Sequence, residues 1–159
     1  MNIRIVCVGK CKEKYWIAAL DEYAKRLSRY CRFEIAQVAD EAASEELSAA
    51  LEEQVKEREG ERILRQIREG DYVIALAING QKMDSVGFSR FLEQKMTAGE
   101  SSIVFVIGGS LGLSRQVLGR SNLQLSFSDM TFPHQLMRVI LAEQIYRGFR
   151  IMRGEPYHK

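Results

Sequence analysis

The sequence has few of the residues that build disulfide frameworks and metal sites. Its 159 residues include three cysteines and two histidines. An odd number of cysteines, at positions 7, 11 and 31, does not suit a disulfide scaffold, and a zinc site needs more ligands than His134 and His158 supply. We therefore expect free thiols and no metal, in a domain long enough to fold on its hydrophobic core alone.

Long hydrophobic runs are also missing. The longest, residues 72–78, is too short to cross a bilayer, and the N-terminus leads into a strand-like segment without a signal peptide. Prolines number only two, and there are no repeats, low-complexity tracts or linkers. We expect one soluble, cytoplasmic domain over residues 1–159, with no membrane partner.

Basic and acidic residues are nearly equal in number, for a formal net charge of +2, but they are unevenly distributed along the chain. Residues 1–39 and 101–159 each carry a net charge of +4, whereas residues 40–70 carry −5. If the fold brings the two basic ends together, they form one surface suited to phosphates. Ordinary solvated faces explain the same pattern, so charge alone leaves both interpretations open.

Hydrophobic spacing predicts alternating strands and helices. Apolar or alternating runs predict strands at residues 3–8, 33–38, 72–77, 103–107 and 123–127. Three- and four-residue spacing predicts helices that begin near Trp16, Ser85 and Pro133, and a charged helical region over residues 44–68 that Gly60 breaks. Asn79 and Gly80 predict a turn after the third strand. The pattern predicts an α/β fold with a mostly parallel sheet flanked by helices.

Three loops at the predicted carboxyl ends of strands are rich in small or polar residues. They comprise residues 76–80, 108–112 and 127–132. Ligands of open α/β sheets bind at this edge, and Gly108 and Gly109 permit close approach of the backbone to a ligand. The loops therefore predict a pocket, although a single glycine is more often just a turn.

The loop over residues 108–112 also matches the G-x-S-x-G nucleophile elbow of serine hydrolases. Ser110, Asp129 and then His134 or His158 follow the chain order of that triad. The pattern is short, and Asp129 and His134 lie only five positions apart. The hydrolase stays an alternative hypothesis, and the loop matches neither a dinucleotide nor a phosphate-binding loop.

The C-terminal part of the chain concentrates arginine, tyrosine and histidine. Such residues bind phosphates, stack on bases and transfer protons, although a chain terminus often has no functional role. A non-catalytic RNA-binding protein is therefore a second alternative. The residues in question are Arg138, Arg147, Arg150, Arg153, Tyr157, His158 and Lys159.

Four segments carry a resemblance to a known family. They are Phe-Val-Ile-Gly-Gly-Ser at 105–110, Met-Thr-Phe-Pro-His-Gln-Leu at 130–136, Glu-Gln-Ile-Tyr-Arg at 143–147 and Gly-x-Pro-Tyr-His at 154–158. Together with the N-terminal Val-Gly-Lys-x-Lys-Glu-Lys-Tyr at 8–15, they make the chain similar to the RlmH family. Members of that family are SPOUT-class methyltransferases that act on pseudouridine in large-subunit ribosomal RNA.

The resemblance implies a SPOUT-type fold with a deep trefoil knot near the C-terminus, a homodimer, and S-adenosylmethionine as cofactor. The implied reaction methylates N3 of a pseudouridine of 23S ribosomal RNA within the assembled ribosome. The family's cofactor positions correspond here to Leu76, Gly108, Phe127, Ser128, Asp129, Met130, Thr131 and Phe132.

The resemblance also directs attention to the last residues of the chain. His158 is the candidate that assists removal of the N3 proton, and Tyr157 is the candidate that positions the base. The predicted phosphate contacts are Arg138, Arg147, Arg150, Arg153 and Lys159.

Overall fold

The structure, a computed structural model, describes residues 1–157. Five strands alternate with five helices in this part of the chain. In chain order they are β1 (Asn2–Val8), α1 (Lys14–Leu27), β2 (Arg32–Val38), α2 (Ala49–Leu64), β3 (Tyr72–Lys82), α3 (Ser85–Thr97), β4 (Ser102–Ile107), α4 (Arg115–Arg120), β5 (Leu123–Ser126) and α5 (His134–Met152).

The strands form one sheet in the order β2-β1-β4-β3-β5, and every pairing is parallel. Successive side chains of a strand point to opposite faces, so each face buries its own core. Ile3 and Ile5 of β1 face the layer of α1, α3 and α5, whereas Val6 and Val8 face α2 and α4. The predicted α/β fold with a parallel, helix-flanked sheet is confirmed.

The predicted turn at Asn79 and Gly80 is wrong, because β3 continues to Lys82. The pairing of β3 with β5 shifts register between Leu76 and Gln81. A Cβ on Gly80 would lie 2.7 Å from the backbone of Gln124. Glycine at this position therefore allows two segments of the chain to approach closely and does not form a turn. The trefoil knot stays a prediction.

The predicted break at Gly60 is also wrong, because α2 runs through it without interruption. Gly60 is buried where α2 packs on α4. A Cβ at this position would overlap the Ser114 hydroxyl and lie 3.3 Å from Val117 Cγ2. The absence of a side chain thus allows the two helices to approach closely.

This packing predicts opposite effects at two helical glycines. Gly60→Ala should lower the free energy of unfolding by about 1–3 kcal/mol, because overpacking outweighs the gain in helix propensity. Gly119→Ala in α4 meets nothing within 4 Å, so it should raise stability by about 0.5–1 kcal/mol. Urea unfolding of both variants measures the difference, and equal stabilities would contradict the close contact.

Within residues 1–157, no helix is long and apolar enough to span a membrane, and no group of three histidine, cysteine or acidic side chains is placed to hold a metal ion. The three cysteines are unpaired. Burial raises the pKa of Cys7 to about 11, so its thiol stays protonated and unreactive near neutral pH.

Candidate functional site

A cavity of about 380 Å³ lies at the carboxyl edge of the sheet, where the three loops meet. Apolar side chains such as Ile107 and Met137 form part of its wall. Seven of the eight positions expected to bind cofactor line it: Leu76, Gly108, Phe127, Ser128, Met130, Thr131 and Phe132. The topology explains this gathering, because β3, β4 and β5 are neighbours in the sheet.

One wall of the cavity is the tight turn at residues 108–112 that follows β4. The Gly112 amide donates to the Gly109 carbonyl at 3.1 Å, and Gly112 has a φ of +89°. A Cβ on Gly108 would lie 2.9 Å from the Gly112 carbonyl carbon and 3.1 Å from Leu113 Cδ2. Glycine at 108 is therefore required for this turn to close on itself beside the cavity.

The opposite wall is the segment after β5. Ser126 donates from its hydroxyl to the Ser128 carbonyl at 3.2 Å, and the Met130 amide donates to the Ser128 hydroxyl at 3.0 Å. The Met130 side chain is 74% exposed although it lines the cavity. These local bonds turn the chain sharply beside the cavity.

The structure differs from the prediction at Asp129. Its side chain is 79% exposed and pairs with Lys82 at 2.7 Å, and it is not part of the cavity lining. Its neighbours Ser128 and Met130 both line the cavity, and a contact of Asp129 with the cofactor stays a prediction.

The hydrolase alternative fails on geometry. A nucleophile elbow holds its serine in a strained turn, whereas no residue other than glycine has a positive φ between Met1 and Tyr157. Ser110 and His134 both line the cavity, but Asp129 is engaged by Lys82 and forms no hydrogen bond to His134. His158 lies outside the described residues.

A second cavity of about 320 Å³ adjoins the first, and the two share Gly109, Ser110 and His134. Its other lining residues are mostly charged or polar and include Lys10, Lys12, Glu13, Asp40, Glu41, Glu59 and Gln135. Burial, together with the charge of Arg138, lowers the pKa of His134, so this imidazole is neutral at pH 7. The carboxyl edge thus holds a largely apolar cavity beside a polar one.

Arg138 is not the surface phosphate contact that was predicted. It is completely buried, and its Nη2 donates to the carbonyls of Val8 at 2.7 Å and Gly9 at 2.9 Å. Its Nε and Nη1 have no hydrogen-bond partner within residues 1–157. Arg138 is buried because it lies on the inner face of α5. There its guanidinium binds the end of β1, which borders the polar cavity.

The other predicted arginines lie near the far end of α5. Arg147 pairs with Glu143 at 2.6 Å, and Arg150 pairs with Glu155 at 2.7 Å. Arg153 is exposed, and its guanidinium stacks on the Tyr30 ring at 4.9 Å. Of these three, Arg153 has the most accessible charge. Lys159 lies outside the described residues.

Tyr157 docks on α5 rather than at either cavity. Its hydroxyl donates to Glu143 at 3.1 Å, and its ring packs edge-on against Tyr146. Burial, with the nearby Glu143 carboxylate, raises the pKa of Tyr157 to about 12. The phenol is therefore protonated throughout the neutral range, and its chemistry is that of a donor and a stacking surface rather than a base.

Sequence reasoning missed Glu59, which is buried and lines the polar cavity. Residues 44–68 were predicted only as a charged helical region, with no functional residue assigned in it. The spacing contained a signal, because Glu59 stands four residues before Ile63 on the side of α2 that packs against the sheet.

Comparisons with known proteins find similar chains by sequence and by fold. A family model described as "Predicted SPOUT methyltransferase" matches residues 1–158. The chain is 58% identical to the Ribosomal RNA large subunit methyltransferase H of Enterococcus faecalis and 57% identical to that of Clostridium tetani, over the full length of both chains in each case. A probable methylase family protein from Haemophilus influenzae has a solved structure with a TM-score of 0.53 and 14% identity, covering 99% of this chain and 70% of that one.

Proposed function

Because the chain belongs to the SPOUT methyltransferase family, we propose that it transfers a methyl group from S-adenosylmethionine to N3 of a pseudouridine in large-subunit ribosomal RNA. Full-length relatives named as methyltransferases of that RNA support the substrate class. We place the reaction in the cytoplasm, on the assembled ribosome, as the resemblance to the RlmH family implies. A net charge of +2, which gives this chain little electrostatic capture of naked RNA, is compatible with that context.

The observation that carries the proposal is the cavity at the carboxyl edge. Its apolar walls suit an adenine ring, and the turns at residues 108–112 and 126–130 bring the backbone close to the space that the ribose and amino-acid portions need. Gly108 is needed to shape that wall, as the close contact of its missing Cβ with Gly112 indicates. The residues present therefore fit this cofactor.

When bound, S-adenosylmethionine supplies an electrophilic methyl group on a positively charged sulfonium. The chain must hold N3 of the target in line with that methyl group, and orientation of this kind contributes about 7–11 kcal/mol to barrier reduction. N3 carries a proton, which must leave as the new bond forms. A general base adds about 10²–10⁴-fold, and His158 is the residue we assign to that assistance.

A homodimer completes the proposal. His134, at the first turn of α5, lines both cavities, whereas Tyr157 follows the far end of the same 19-residue helix. The Tyr157 hydroxyl is bound by Glu143, which lies about 13 Å along the helix from His134 at 1.5 Å per residue, so Tyr157 of the same copy is held away from both cavities. The tail of a second copy is therefore the better source of Tyr157 and His158 beside the cofactor cavity.

The test is a calorimetric titration with S-adenosylmethionine, followed by transfer of labelled methyl groups to ribosomal large subunits and whole ribosomes that lack this modification. We expect saturable binding and a methylated pseudouridine in the RNA, identified by mass spectrometry. A folded dimer that binds RNA but neither binds nor is stabilised by the cofactor would instead be a non-catalytic RNA-binding protein.

Arg153→Ala should weaken RNA binding through the loss of one phosphate contact. Its guanidinium is exposed and stacked on Tyr30, and unlike those of Arg147 and Arg150 it pairs with no carboxylate within residues 1–157. The slope of log affinity against log salt should fall by about one. Arg65→Ala, an exposed arginine at the end of α2 on the other face of the sheet, is the control and should leave the slope unchanged. If both variants gave the same slope, Arg153 would not contact a phosphate of the RNA.

A further inference from the structure

We propose that the polar cavity receives the uracil ring of the target nucleotide and that Glu59 accepts a hydrogen bond from its N1–H. Pseudouridine is linked to ribose through carbon, so its N1 carries a hydrogen, whereas N1 of uridine carries the ribose. Glu59 would thus distinguish the two nucleotides. This inference rests on the proposed function and adds a residue that determines its specificity.

The position of the polar cavity suits a base about to be methylated. It shares Gly109, Ser110 and His134 with the cofactor cavity, so a ring held in one presents an edge to the other. Its volume of about 320 Å³ admits a single pyrimidine. Lys10 and Lys12 at its margin supply positive charge for the nucleotide's phosphates.

Glu59 is the unusual group of this cavity. It is 4% exposed, and its Oε2 accepts a hydrogen bond from the Glu41 amide at 3.1 Å. Its Oε1 receives no hydrogen bond from the described residues and lies 3.0 Å from the position of a Cβ on Gly109. Glu59 therefore combines burial with a free acceptor next to the residues that the two cavities share.

A second buried carboxylate shows what a purely structural one looks like. Asp71, 6% exposed, accepts from Arg4 at 2.9 Å, from the Ser102 hydroxyl at 2.6 Å and from the Arg68 amide at 2.8 Å. Buried carboxylates are ordinarily satisfied in this way. Glu59 accepts a hydrogen bond only from the Glu41 amide within residues 1–157, so its Oε1 remains available to accept one from a ligand.

The surroundings of Glu59 make a ligand N–H a strong partner. Burial raises the pKa of its carboxyl, an effect that the Glu41 amide reduces and the nearby Asp40 charge reinforces. Arg62 binds Glu41 rather than Glu59. The charge of Arg62 lowers the pKa of Glu59 from a distance, but no cation is hydrogen-bonded to this carboxylate within residues 1–157, so a donor that arrives with the substrate stabilises it.

The geometry of the ring allows both contacts at once. N1 and N3 of pseudouridine flank the same carbonyl carbon, so N3 faces the methyl group while N1–H points to a different wall. Uridine in the same pose leaves the buried carboxylate without its donor. Sites built on a buried polar contact discriminate strongly against analogues that lack it.

Glu59→Gln tests this assignment. The Glu41 amide holds the carbonyl oxygen of glutamine, which turns the NH₂ group towards the N1–H donor. We measure kcat/KM on large subunits that carry either pseudouridine or uridine at the target position. The variant should lose about tenfold to hundredfold on pseudouridine and nothing on uridine, and its affinity for S-adenosylmethionine should be unchanged.

Two controls separate this role from a structural one. Glu61→Gln, on the exposed side of α2, should keep the wild-type preference. Because the pKa of Glu59 is raised in the folded state, its ionised form opposes folding, so Glu59→Gln should melt no lower than wild type at pH 7.5 and lose any advantage below the unfolded pKa near 4.5. Loss of activity from unfolding is thereby detected.

The outcomes are distinct. A wild-type chain that methylates neither nucleotide overturns the proposed function itself. A wild-type chain that methylates both equally, or a Glu59→Gln chain that keeps the wild-type preference, overturns the role of Glu59 alone.

Discussion

Gly108→Val should weaken S-adenosylmethionine binding at least about a hundredfold, equivalent to ~2.7 kcal/mol. Its Cβ would lie 2.9 Å from the Gly112 carbonyl carbon and 3.1 Å from Leu113, and valine adds two methyl groups to that overlap. The turn at residues 108–112 has to open, and it forms one wall of the cofactor cavity. The cavity then loses its shape while the sheet beneath it remains.

Calorimetric titration measures the loss, and circular dichroism shows that the variant is folded. Overpacking of one turn costs about 1–3 kcal/mol, less than a domain's usual stability. Gly70→Ala is the matched control, because nothing lies within 4 Å of its Cβ and it is distant from the cavity lining. Wild-type affinity in folded Gly108→Val would exclude this cavity as the cofactor site.

Arg138→Ala should lower the free energy of unfolding by about 3–5 kcal/mol. The substitution leaves a large void in the interior and removes the donor from two carbonyls, those of Val8 and Gly9. Wild type also bears a desolvation cost, because Nε and Nη1 of the buried Arg138 have no hydrogen-bond partner within residues 1–157. Removing that cost offsets only part of the lost stability. Urea unfolding gives the magnitude.

Arg138→Lys keeps the charge and a donor group on a shorter, narrower side chain, so its stability should fall between those of wild type and Arg138→Ala. The alternative, that Arg138 contacts phosphate, makes a different prediction. It requires an Arg138→Ala chain of wild-type stability whose RNA affinity depends less on salt by about one unit of slope. That result would contradict the buried position.

Much of the fold and of the cavity was predictable because both depend on local spacing. Apolar runs at residues 72–77 and 103–107 predicted buried parallel strands, and the structure confirms them as parts of β3 and β4. Parallel strands bring their carboxyl ends to one edge, so the loops after these strands had to meet. The cavity lies at that edge.

The features that were not predicted depend on contacts between distant parts of the chain. Gly60 and Gly80 looked like a break and a turn, but each accommodates a segment more than 40 positions away. Arg138 looked like a surface cation because its type is usually exposed, and only its bonds to Val8 and Gly9 show otherwise. Spacing cannot reveal partners that the fold supplies.

The position of α5 has a consequence for the synthesis of this protein. The helix packs on both α1 and α3, and the buried Ser89 hydroxyl donates to the Gly148 carbonyl at 2.7 Å. In the sheet, Asn2 of β1 pairs with Ser102 of β4, and β4 is synthesised about 100 residues after β1. A nascent chain therefore exposes the isoleucine- and phenylalanine-rich face of its strands until α5 has been synthesised, and folding should be slow and sensitive to aggregation. A chain that stops before α5 should not form a stable sheet.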